Sequence, residues 1–142
     1  MPKDPTLLFA HPADAPYLSV CTTGTHDTNP LRAWWEEDRE VTQRFYNEQM
    51  GWWGEAPHQM SAQIAEFIVN QHMYSPAMWV ILPLQDWFAI NDDVRLPDAH
   101  AERINVPANP RHFWNYRMHI SLEDLLRKDE FNAQVRRLTS VR

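Results

Sequence analysis

The sequence predicts a helix-rich α/β unit built on a parallel sheet. Three observations predict it: a short apolar, β-branched run at Tyr17–Cys21, two amphipathic helical stretches after it, and a continuous apolar run from Ala77 to Leu82 bounded by Pro76 and Pro83. Strand, helix, helix and a strand buried on both faces make a crossover unit, which calls for parallel strands. The chain has 142 residues, about one domain's length, so a single unit over residues 1–142 is expected.

Residues 1–16 carry Pro2, Pro5, Pro12 and Pro16 around a brief apolar patch at Leu7, Leu8 and Phe9, and read as an extended lead-in. Asn29 is placed to cap a helix whose first residue is Pro30, because Pro fixes a helical φ and lacks an N–H that would be orphaned there anyway. Leu31, Trp34, Trp35, Val41 and Phe45 form one apolar stripe, which predicts a helix from about residue 30 to about 50. Gly51–Pro57 breaks it. Met60, Ile64, Phe67 and Ile68 then mark a second helix from about 58 to about 72. Pro83 begins a short helix with Gln85 and Asp86 at the second strand's carboxyl end, and residues 91–112 read as an irregular loop long enough to line a site. Ser121 and Asp124 form a capping-box variant, and Leu122, Leu125, Leu126, Phe131, Val135 and Leu138 mark one bent helix or two short ones.

Composition excludes several function classes. Lys and Arg number 13 against 19 Asp and Glu, a formal charge of -6, and no basic cluster exceeds Arg136-Arg137, so neither nucleic acid nor an anionic membrane is an expected partner. No apolar run approaches the roughly 20 residues of a membrane span, and no signal-peptide pattern opens the sequence. With a single Cys21 there is no internal disulfide, and a cytoplasmic location is expected. The seven His lack close zinc spacing, so no metal or other cofactor is expected. Cys21, inside the first strand, reads as a small buried hydrophobe. Neither a G-x-S-x-G elbow nor a G-x-G-x-x-G loop is present, which removes the usual support for hydrolase and dinucleotide readings. Trp52 and Trp53 fit either a sugar platform or, at a turn between helices, core packing.

The chemistry concentrates at Thr22-Thr23-Gly24-Thr25-His26-Asp27, which follows the first strand and is closed by Asn29-Pro30. Side chains at a strand's carboxyl end face a cleft in α/β proteins. On spacing alone, His26 and Asp27 fit a general acid/base, a metal-ligand pair, an electrostatic stabiliser, or a loop Asp capping its own turn.

Longer stretches narrow this. Thr23-Gly24-Thr25-His26-Asp27, Leu31-Arg32-Ala33-Trp34-Trp35-Glu36-Glu37-Asp38, Ser75-Pro76-Ala77-Met78-Trp79, Pro83-Leu84-Gln85-Asp86, Arg103-Ile104-Asn105-Val106-Pro107 and Trp114-Asn115-Tyr116-Arg117-Met118 together resemble the C-terminal part of a 4-α-glucanotransferase, the amylomaltase or disproportionating-enzyme family. The similarity is collinear over essentially the whole chain. Thr28-Asn29-Pro30 with the Trp-Trp-Glu-Glu-Asp run is closer to the larger, plant-cytosolic-like type.

The resemblance implies the final strand-helix-strand-helix quarter of a (β/α)8 barrel. It implies a retaining transfer of α-1,4-glucan segments between maltooligosaccharides through a covalent enzyme ester, with a nucleophilic Asp and a Glu acid/base. It assigns Asp27 the third carboxylate's role, stabilising the distorted, oxocarbenium-like ring, and makes His26, Gln85, Asp86 and Asn105 substrate-binding candidates. The nucleophile and the acid/base lie upstream of the His-Asp motif in that family, and only 25 residues precede His26. The expectation is therefore a C-terminal fragment, inactive alone, whose uncovered strands lead to self-association or a rearranged, mostly helical fold. The competing reading is a non-catalytic carbohydrate-binding or scaffold module.

Overall fold

The structure, a computed structural model, describes residues 11–114 and 116–142. The apolar patch at Leu7–Phe9 and the motif residue Asn115 lie outside the described residues. Of the expected extended lead-in, residues 12–14 form a 3-10 turn instead, because the His11 ring accepts a hydrogen bond from the Ala13 amide and caps it.

Two strands pair in parallel, β1 (Val20–Cys21) and β2 (Trp79–Val80), with Val20 opposite Trp79 and Cys21 opposite Val80. Between them run α1 (Leu31–Glu37), α2 (Arg39–Arg44) continued by a π turn over Phe45–Gln49, and α3 (Ala62–Met73). After β2 come α4 (Leu84–Phe88), a 3-10 turn at His100–Glu102, α5 (Leu122–Leu126) and α6 (Asp129–Thr139). The crossover and its parallel sense follow the expectation. No helix among the described residues is long and apolar enough to cross a membrane.

Local chemistry sets the boundaries. The helix expected over residues 30–50 breaks at Asp38, whose backbone is extended and whose carboxylate accepts the amides of Glu40 and Val41 at 3.1 and 3.2 Å. An Asp that caps the following helix outcompetes continuation of the preceding one. Asn29 does not cap α1: its amide reaches Glu37, and the Leu31 amide goes to Asp86, 55 residues away, at 2.8 Å. Ser61 caps α3 through the Ile64 amide, and Ser121 caps α5 through the Asp124 amide. Lys128 separates α5 from α6, so the last segment is two short helices.

The core lies on the helical side, where Leu31, Trp35, Met60, Ile64, Ile68, Phe88 and Leu138 are fully buried. Edge-to-face contacts link Trp34, Trp35, Phe45, Tyr46, Trp52 and Phe67 at centroid distances of 5.4 to 6.5 Å. Trp52 is thus part of the packing, whereas Trp53 is 91% exposed.

The sheet departs from expectation. The run 77–82 was expected to be buried on both faces, yet Trp79 is 61% and Ile81 59% exposed, and Leu18 beside β1 is 81% exposed. The described residues form only two short strands, and the sheet face that carries Val20, Trp79 and Ile81 is exposed.

Candidate functional site

The loop after β1 is held rigidly. Thr28 closes it: its hydroxyl accepts the Thr25 amide at 2.9 Å and donates to the Thr25 carbonyl at 3.0 Å. Gly24 is required by close approach, because a Cβ there would sit 2.5 Å from the Thr28 hydroxyl oxygen. Thr23 ties the loop to α4 by donating its hydroxyl to Asp86 Oδ2 at 2.5 Å.

His26 and Asp27 emerge from this frame half exposed. Asp27 Oδ1 accepts from Asn105 Nδ2 at 2.6 Å, and Asp27 Oδ2 lies 3.4 Å from His26 Nε2. The His26 ring also rests on Trp114, centroid to centroid 4.5 Å at 45°. Two stretches far apart in sequence, the loop and the segment that carries Asn105 and Trp114, therefore converge on one carboxylate and its neighbour.

The loop divides two concavities. One, about 400 Å³, is walled by Thr25, His26, Leu82, Gln85, Ile104 and Tyr116. The other, about 260 Å³, contains Asp27, Trp34, Glu37 and Arg103. The Tyr116 hydroxyl is buried at the larger pocket with no hydrogen-bond partner among the described residues. Such an orphaned buried donor is costly unless a bound group completes it.

Behind the loop lies a buried polar cluster. Asp86 is 1% exposed; burial raises its carboxyl to about 6 despite the hydrogen bonds from Thr23 and Leu31. Glu102 is fully buried, and burial raises its carboxyl to about 7 although Arg32 stands 3.4 Å away. Arg32 also donates to the carbonyls of Leu96 and Pro97, and Gln85 donates to the Glu102 carbonyl at 3.2 Å. These bonds anchor the irregular segment that carries Asn105. Arg103 adds a bond from its Nε to the Asn105 carbonyl at 2.8 Å.

Of the residues singled out in the sequence, His26, Asp27 and Asn105 come together, and Gln85 lines the larger pocket. Asp86 does not meet its expected sugar contact here: it faces inward with both oxygens engaged, and holds the loop to α1. Trp114, Tyr116 and Arg32 stand in stretches quoted for the resemblance but were given no site role, and the Arg32–Glu102 pairing was not foreseen. An aromatic cluster in a long irregular segment was the available signal for the first two; nothing local marks a pair 70 residues apart.

The rigid strand-end loop thus presents a carboxylate and an imidazole beside an aromatic ring. The fold is shared with the amylomaltase from Streptococcus agalactiae solved in complex with acarbose: TM-score 0.64 at 18% identity, covering 92% of this chain and 23% of that one. Residues 1–123 match the 4-alpha-glucanotransferase family, glycoside hydrolase 77, and the chain belongs to that family. It is 41% identical over 140 residues to the 4-alpha-glucanotransferase DPE2 of Oryza sativa subsp. japonica, covering 99% of this chain and 15% of the relative. It is 29% identical over 119 residues to a 4-alpha-glucanotransferase of Chlamydia caviae, covering 83% of this chain and 22% of the relative. The chain thus spans between about a seventh and a quarter of the length of these proteins.

Proposed function

We propose that residues 1–142 act as one unit, the C-terminal quarter of a (β/α)8 4-α-glucanotransferase barrel, and hold the glucan at the bond-breaking subsite. Asp27 stabilises the positive charge that develops on the ring in the transition state, a role open to a preorganised carboxylate. Asn105 occupies one Asp27 oxygen and fixes its plane. His26, backed by Trp114, contacts a neighbouring sugar hydroxyl, with Gln85 and the Tyr116 hydroxyl on the larger pocket's wall. Asp86 is a positioning residue, acting through Thr23 and Leu31. The observation that carries the reading is the Asn105–Asp27 hydrogen bond, which joins residues 78 apart beside the smaller pocket that Asp27 lines.

The reaction is a retaining transfer between maltooligosaccharides, and its nucleophile and acid/base come from polypeptide outside this sequence. Alone, the chain forms no donor ester and is inactive. Its exposed sheet face, with Leu18, Trp79 and Ile81, leads the isolated chain to self-associate. The acidic composition and single Cys fit a cytoplasmic setting. Incubation of the purified chain with maltotriose tests the first point: unchanged maltotriose is expected, and release of glucose with longer maltodextrins overturns it.

A further inference from the structure

A second concavity, sharing no lining residue with the two at the loop, lies between α3 and α6 and measures about 460 Å³. Its aromatic floor is Trp52 and Phe67, 5.6 Å apart. Gln63, Glu66, Phe67 and Asn70 reach it from α3 at i, i+3, i+4 and i+7, the face opposite the buried stripe of Ile64, Ala65, Ile68 and Val69.

The polar groups are arranged selectively. Glu66 is neutralised by Arg137 at 2.8 Å, and Gln134 is committed to Glu66 and Asn91. The side-chain amides of Gln63 and Asn70, by contrast, have no hydrogen-bond partner among the described residues. A charge-paired rim would repel neither end of a neutral ligand. Two free amides, each donor and acceptor, suit a molecule that presents many hydroxyls, and half-buried rings suit its apolar C–H face. The volume lies in the range of small-molecule sites.

The turn that supplies Trp52 is stiff. Gln43 donates to the Gly54 carbonyl and accepts the Ala56 amide, and Asn47 donates to the Trp52 carbonyl. The next residue, Trp53, is exposed to solvent and does not line the pocket.

We propose that this pocket is a second glucan-binding site on the helical face, separate from the cleft, taking a segment of α-1,4-glucan. The choice of glucan as ligand rests on the function proposed above. The test is a titration of the whole 142-residue chain with maltoheptaose, followed by NMR of side-chain amides and indole N–H groups. Shifts are expected at Gln63, Asn70 and Trp52, unchanged in Asp27→Ala, and the affinity read from them should fall at least fivefold in Gln63→Ala with Asn70→Ala. These two positions avoid the packed ring of Trp52, and an unchanged thermal transition verifies that the variant is folded. Shifts confined to the His26–Asp27 loop would overturn the second site while leaving the cleft reading intact. Shifts at Gln63, Asn70 and Trp52 without any at the loop would support the second site and count against the cleft. Absence of shifts at Gln63, Asn70 and Trp52 overturns the proposal whatever happens elsewhere.

Discussion

On the helical side of the chain, Trp35, Ile64, Ile68 and Phe88 are out of reach of water, whereas on the sheet side Leu18, Trp79 and Ile81 stand in it. Both sets have the same apolar composition. What differs is partners: the helices bury their stripes against one another, and two strands cannot cover a sheet face by themselves. The expected burial of the Ala77–Leu82 run on both faces therefore fails at Trp79 and Ile81, which no helix among the described residues covers.

Substitution separates the two sides most clearly. Phe88→Ala should lower stability by about 3–5 kcal/mol in urea denaturation, since it opens a cavity in the core. Trp79→Ser with Ile81→Ser should cost less than about 1 kcal/mol, surface changes being small. The same pair should shift sedimentation toward monomer. Equal destabilisation by both changes would abolish the distinction.

The buried carboxyls come next. Asp86 and Glu102 are raised to about 6 and about 7 by burial, so the native state binds more protons than the unfolded state between pH 4 and these values. Stability therefore falls as pH rises from about 4 through 7, each group contributing on the order of 3 kcal/mol of loss at most. Asp86→Asn should flatten the lower part of that slope in denaturation curves taken at pH 5 and pH 7. A profile identical to the unsubstituted chain would contradict the assignment.

Smaller effects probe the loop and the caps. Gly24→Ala should cost about 1–3 kcal/mol by overpacking against Thr28, with part recovered in Gly24→Ala, Thr28→Ala. Ser61→Ala should cost about 1 kcal/mol by leaving the Ile64 amide uncapped. Thermal unfolding measures both.

How far the sequence could be read follows the same division. Elements specified by near neighbours were legible: the Ser121 cap, the stripe on α3 and the break at Gly51–Pro57; the parallel crossover followed from the order of elements. Asp38 was misread because a helical stripe continues through it, although an Asp followed by Arg39-Glu40 is itself a capping signal. The contacts of Asp86 with α1 and of Asn105 with Asp27 span 55 and 78 residues, and no local period encodes them. Asn105 was nonetheless singled out through the resemblance of its segment, whereas the inward contacts of Asp86 required its neighbours in space.

The role proposed for Asp27, serving glucan transfer from one quarter of a larger barrel, is open to test in a complete enzyme. A chimera that carries this chain in place of the matching 140-residue segment of the rice relative is compared with its Asp27→Ala form on maltotriose. An active chimera is expected, and its Asp27→Ala form should lose at least about a hundredfold in kcat with little change in KM, as for a group acting in the transition state. Near-unchanged turnover in the Asp27→Ala chimera would contradict it.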